Sequence, residues 1–147
     1  MVRPRSLPPS ARCEAAVKSV TLIARSLLSL FGIALVVLGI LFWTGHALSL
    51  LSLHMLLGAL FVVCMWVLAV AGFLVPGARG FALVVLVWSL VVPALGVTQL
   101  SLLPGAGHWL IQALHLLVGL IAMGLGHALA RRIGRRPAAT PAVPESV

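Results

Sequence analysis

No Asp, Glu, Lys or Arg stands between Arg25 and Arg79 in this chain, and none stands between Arg79 and Arg131. Each charge-free block is about fifty residues of Leu, Val, Ala, Gly and Phe, broken near its middle by a short turn signal. A bilayer core about 30 Å thick is crossed by roughly 20 helical residues, so each block holds two spans and the chain holds four. The pattern is that of an integral membrane protein. Its function is then sought among the few polar side chains inside the spans.

With 147 residues, 62% of them hydrophobic, the chain has no stretch left over for a separate soluble domain. A net charge of +8 would point to nucleic acid if it were spread over a soluble face. Instead Arg3, Arg5, Arg12, Lys18 and Arg25 precede the first span, and Arg131, Arg132, Arg135 and Arg136 follow the last. Cations that flank spans are a topology signal, and no nucleic-acid partner is expected. Paired-carboxylate catalysis is excluded, because the chain has two acidic residues and neither lies in a span. Cys13 and Cys64 fall in the leader and the second span, a placement that predicts two free thiols.

The turns at Thr44-Gly45-His46 and Pro104-Gly105-Ala106-Gly107 are uncharged, whereas Pro76-Gly77-Ala78-Arg79-Gly80 carries an Arg. The positive-inside rule therefore puts both termini and the middle turn on the cytoplasmic side, most naturally of a bacterial inner membrane. About 20 polar and Pro-containing residues precede the first apolar run, which does not read as a cleavable signal peptide. The expected organisation is a cytoplasmic leader over residues 1–19, a bundle over 20–130 and a disordered basic, Pro-rich tail over 131–147. Within the bundle the spans are expected near 20–43, 47–74, 81–103 and 108–130, the third bent at Pro93. The fold class is all-α, a four-transmembrane-helix antiparallel bundle.

An internal repeat subdivides it. Gly45-His46 is followed by Leu53-His54-Met55-Leu56-Leu57-Gly58, and Gly107-His108 by Leu114-His115-Leu116-Leu117-Val118-Gly119. The copies open the second and fourth spans, which run in the same direction, so the bundle reads as two similar helical hairpins.

Four of the five histidines lie toward the uncharged-turn side. His54 and His115 each sit about seven residues, or roughly 10 Å, below their turn. At about 100° per residue, His115 shares a face with His108, Gly119, Ala122 and Gly126, and His54 with Ala47, Gly58, Phe61, Met65 and Gly72. One reading of these small-residue stripes is close helix packing, each histidine hydrogen-bonding across the interface to the Ser89 carbonyl, Thr98, Gln99 or Gln112. The other is a flat cofactor held between two imidazoles, with glycine one turn below each leaving room for a porphyrin edge. A bare metal ion is disfavoured, since His108 and His115 lie about 10 Å apart along the axis and no Cys or carboxylate completes the set. His127, near Arg131 and Arg132, reads as an interfacial histidine, and Trp43, Trp66, Trp88 and Trp109 as mostly interfacial or lipid-facing.

Histidines on facing helices of a four-helix membrane bundle, here His54 and His115, resemble the axial ligands of small b-type cytochromes of the cytochrome b561 type. The resemblance covers the bundle and those two positions. It implies haem b ligated by His54 and His115, space at Gly58 and Gly119, and His46, His108 and Trp109 meeting the propionates in place of Arg or Lys. It further implies electron transfer from a quinol or a periplasmic redox protein. The chain carries one such histidine pair rather than the two of two-haem members. Beside this stand two other functions. One is a cofactor-free accessory, assembly or anchoring subunit of a membrane complex. The other is a small transporter or sensor, disfavoured because no intramembrane Asp, Glu, Lys or Arg is there to carry coupling charge, which leaves only His and Gln. None of these makes the chain a stand-alone enzyme.

Overall fold

The structure is a computed structural model describing residues 9–135, so Arg3, Arg5, Arg136 and the tail prolines Pro137, Pro141 and Pro144 lie outside the described residues. Four α-helices follow one another: α1 (Pro9–Trp43), α2 (Leu51–Phe73), α3 (Arg79–Thr98) and α4 (His108–Gly134). Short 3₁₀ turns at Leu48–Leu50 and Gln99–Ser101 extend α2 and α3, and no strand occurs among the described residues. All four helices are long and apolar enough to cross a membrane, which fits an integral membrane protein in contact with the lipid bilayer.

The helix ends follow local chemistry. At the end of α1 the His46 amide donates to the Leu41 carbonyl (2.8 Å) and the Gly45 amide to Phe42 (3.0 Å), with Gly45 at φ 78°. This is a Schellman motif, and glycine takes the left-handed position that ends the helix. The turn after α2 closes through the Ala78 amide to the Val75 carbonyl (3.1 Å), with Pro76 at its first corner and Gly77 at φ 83° at its second. Arg79 Nε then reaches back to the Phe73 carbonyl (3.1 Å), placing a cation at the negative end of α2.

Helix α1 begins at Pro9, well before the expected start at residue 20. Its first turns are made of good helix formers, among them Arg12, Glu14, Ala15, Ala16 and Lys18. Glu14 and Lys18 form an i,i+4 ion pair at 2.9 Å, with the acid on the favourable N-terminal side. At 35 residues the helix is about 52 Å long, more than the hydrocarbon core takes, so its first turns project from the bundle. Helix α4 likewise runs on to Gly134, and α3 is one unbroken helix through Pro93.

Each helix packs on its chain neighbours, and α1 closes the ring against α4. The diagonal pair α2 and α4 also touch, whereas α1 and α3 make no contact among the described residues. The tight core lies toward the end that carries both termini, where Ala24, Leu28, Met65, Leu68, Ala82 and Leu129 are buried. Glycines allow the close approach there: a Cβ on Gly126 would stand 2.5 Å from Leu28 Cδ2 and 2.9 Å from Met65 Sδ. One on Gly72 would stand 2.9 Å from both Ala82 Cβ and Leu129 Cδ1. Lipid supplies no hydrophobic drive between helices, so such contacts carry the association. The opposite end is looser. No residue from 39 to 60 or from 90 to 110 is buried.

Candidate functional site

The loose end holds four of the five histidines. His54 lies about one turn, or roughly 5 Å, into α2, and His115 two turns, or roughly 10 Å, into α4. Those are the two helices that meet across the diagonal. Each ring is seated by a neighbour from a different helix. The His54 ring meets the edge of Phe42 from α1, with centroids 5.3 Å apart and planes at 62°. The His115 ring lies on the backbone of α3 at Gly96, where a Cβ would come within 3.1 Å of its Cε1. An alanine there would make the ring give way by a few tenths of an ångström.

Neither imidazole makes a hydrogen bond among the described residues, and the Nδ1 atom of each is sealed from solvent. The side chains that a packing role would have used are engaged elsewhere or stand apart. Thr98 Oγ1 donates to the Ala94 carbonyl (2.7 Å), and neither Gln99 nor Gln112 reaches an imidazole. The rest of the bundle is well satisfied by contrast. Trp66 Nε1 donates to Ser89 Oγ (2.9 Å), Ser89 in turn to the Leu86 carbonyl (2.6 Å), and Trp88 Nε1 to the Val118 carbonyl (3.2 Å). Trp66 and Trp88 thus turn their polar edges into the bundle and tie α3 to α2 and α4, a role beyond the lipid-facing one expected of them.

Gly58 and Gly119, one turn below the histidines, have nothing within 4 Å of where a Cβ would stand. They border open space rather than a helix contact. On the same two stripes Gly72, Gly126, Phe61, Met65 and Ala122 are packed into the core, so both histidine-bearing faces do turn inward. His46 and His108 stay at the surface of the loose end. His46 Nδ1 is 3.1 Å from Thr44 Oγ1, and His108 Nδ1 is 3.3 Å from the Leu102 carbonyl. The two copies of the repeat differ here, since His46 precedes its helix while His108 is the first residue of α4.

His127 belongs to the other end. Arg25 Nε donates to its Nδ1 (3.3 Å), which leaves the proton on Nε2, 3.1 Å from Ser29 Oγ. Ser29 Oγ donates to the Arg25 carbonyl (3.1 Å), closing a ring of bonds between α1 and α4. Nothing in the helical periodicity pairs Arg25 with a residue so far along the chain. Cys13 is exposed and Cys64 buried, both as free thiols. Among the described residues no three His, Cys, Asp or Glu side chains come together to hold a metal ion. The inward-turned imidazoles at the loose end are those of His54 and His115.

Comparisons with protein families, with curated proteins and with solved structures find no match to this chain.

Proposed function

We propose that the chain is an electron-transfer subunit of a membrane complex, holding one haem b between α2 and α4 with His54 and His115 as its axial ligands. The observation that carries this reading is the pair of imidazoles on inward-turned faces of two touching helices, neither with a hydrogen-bond partner. A buried polar atom left unpaired costs about 1–3 kcal/mol, and here there are two of them in a bundle that satisfies its buried hydroxyls and indoles. The open space at Gly58 and Gly119 fits the edge of a flat group.

A haem held there by His54 and His115 would supply one-electron transfer. The chain's own residues orient. Phe42 and Gly96 seat the two rings, and His46, His108 and Trp109 at the helix ends are available to carboxylates at the surface. With N-in, C-in topology, which the crowding of cations at the terminal end supports, the site faces the outer leaflet. A quinol or a periplasmic redox protein is then the electron donor. The repeated G-H and L-H-x-L-x-G segments give the two hairpins one ligand each, a design in which the site lies at the junction of the halves.

One observation favours the cofactor-free accessory reading instead: the His115 ring already fills the notch at Gly96. Colour decides between them. The chain, expressed with ample haem supply and purified from membranes, should show a Soret band and a reduced α-band. His54→Ala and His115→Ala should each lose both bands, while His127→Ala keeps them. A colourless wild-type chain, or bands that survive both histidine changes, would refute the haem reading.

A further inference from the structure

At the terminal end, the helices α1 and α4 leave between them a cleft of about 280 Å³. Lys18, Leu22 and Arg25 line it from α1, and Arg131 and Gly134 from α4. The α1 residues fall at helical spacing on one stripe, so Arg25 stands about 10 Å further along the helix than Lys18. Three cations share the cleft, and among the described residues the one carboxylate is that of Glu14, paired with Lys18 at 2.9 Å. Arg25 commits only its Nε, to His127, which leaves its terminal guanidinium nitrogens uncommitted. Arg131 has no side-chain hydrogen-bond or ion-pair partner among the described residues. Two other cations at this end are engaged: Arg79 caps α2, and Arg132 stacks on the Phe81 ring at 4.2 Å.

We propose that this cleft binds the phosphate of an anionic phospholipid head group from the leaflet on that side. Two guanidinium groups facing one cleft from two helices repel one another unless an anion stands between them. Guanidinium is also the side chain best matched to phosphate, through paired N–H donors. The cleft opens where the apolar span meets the charged helix ends, which is the depth of lipid phosphates. Leu22, 67% exposed beside the cations, offers an acyl chain its apolar wall. Gly134 leaves the rim open, with nothing within 4 Å of where a Cβ would stand. Thr21 Oγ1, whose proton goes to the Val17 carbonyl (2.7 Å), is wall rather than donor. An excess of two positive charges, three cations less Glu14, selects anionic over zwitterionic lipid.

The test is native mass spectrometry of the full chain in mixed micelles of phosphatidylglycerol and phosphatidylcholine. The wild-type chain should keep phosphatidylglycerol in preference. Arg131→Gln should weaken that preference about fivefold, the worth of one cation near a membrane surface, while Arg131→Lys keeps most of it. Gly134→Leu should weaken it as well, by filling the cleft without removing charge. Arg79→Gln, at the same end but in the turn between α2 and α3, should leave it unchanged. Arg131 is the better probe than Arg25 because it takes no part in the His127 ring. Equal retention of the two lipids would overturn the proposal, and so would an Arg79→Gln effect as large as that of Arg131→Gln, which is the signature of diffuse surface charge. Inorganic phosphate that displaces the lipid, and binds as well in purely zwitterionic micelles, would overturn it in favour of a soluble phosphate.

Discussion

Two glycines on one stripe of α4, Gly119 and Gly126, face opposite fates on substitution by alanine. At Gly126 the added Cβ would stand 2.5 Å from Leu28 Cδ2 and 2.9 Å from Met65 Sδ. Both contacts are side-chain ends, which normally yield cheaply. Here both residues are 0% exposed, so neither end has anywhere to go without moving its own neighbours. Overpacking of this kind costs about 1–3 kcal/mol, against which the better helix propensity of alanine returns up to about 1 kcal/mol. Gly126→Ala should therefore destabilise the bundle by about 1–2 kcal/mol. At Gly119 nothing lies within 4 Å of the new atom, so only the propensity gain remains and Gly119→Ala should be neutral or stabilising by up to about 1 kcal/mol. The two variants should differ by about 2 kcal/mol in reversible unfolding in mixed micelles, followed by helicity. If Gly119→Ala proved as damaging as Gly126→Ala, the end that holds His54 and His115 would be as tightly packed as the other. The room claimed for a macrocycle beside Gly119 would then be gone.

Reporter fusions after residues 46 and 106 should read as outside and fusions after 78 and 135 as inside; a cytoplasmic reading at 46 would reverse the bundle. Ser89→Ala strands the Trp66 indole N–H that donates to it at 2.9 Å, and should lower stability by about 0.6–2 kcal/mol in the same unfolding assay. Trp66→Phe in that background should cost less than it does alone, because the bond it would remove is already gone.

The spans were legible because charge is forbidden in lipid: the gaps between Arg25, Arg79 and Arg131 bracket α2, α3 and the turns around them. Gly45 and Gly77 were legible as turn residues: Gly45 takes the left-handed position that ends α1, and Gly77 the second corner of the turn after α2. The first turns of α1 were not, because Pro4, Pro8 and Pro9 weigh toward a loose leader while the helix formers after them, stapled by Glu14 and Lys18, favour a helix. Periodicity assigned the faces of α2 and α4 correctly, turning Phe61, Met65, Gly72, Ala122 and Gly126 inward. It carries no information on distance, however. Gly119 and Gly126 lie at almost the same angle, yet one borders open space and the other touches Leu28. The seat of His115 on Gly96 and the ring of bonds through Arg25, His127 and Ser29 join segments whose separation leaves no trace in local spacing.

The two ends of the bundle divide the labour of holding it together and leaving it open. At the terminal end Gly72 and Gly126 bring backbones close, Arg79 and Arg132 clasp neighbouring helices, and His127 is locked by Arg25 and Ser29. Trp66 and Trp88 add hydrogen bonds partway along, at Ser89 and Val118. Beyond that level the helices hold few cross-links, and the two polar side chains that do turn inward, His54 and His115, make none. A bundle under pressure for stability alone gains by replacing such imidazoles with Leu, which loses no hydrogen bond because none exists. His54→Leu and His115→Leu should therefore leave the ligand-free chain as stable as the original or more so, in the same micelle assay. A loss of more than about 1 kcal/mol from either would mean that the imidazole contributes to the fold itself, through Phe42 or Gly96, and that its lack of a partner is no sign of a ligand.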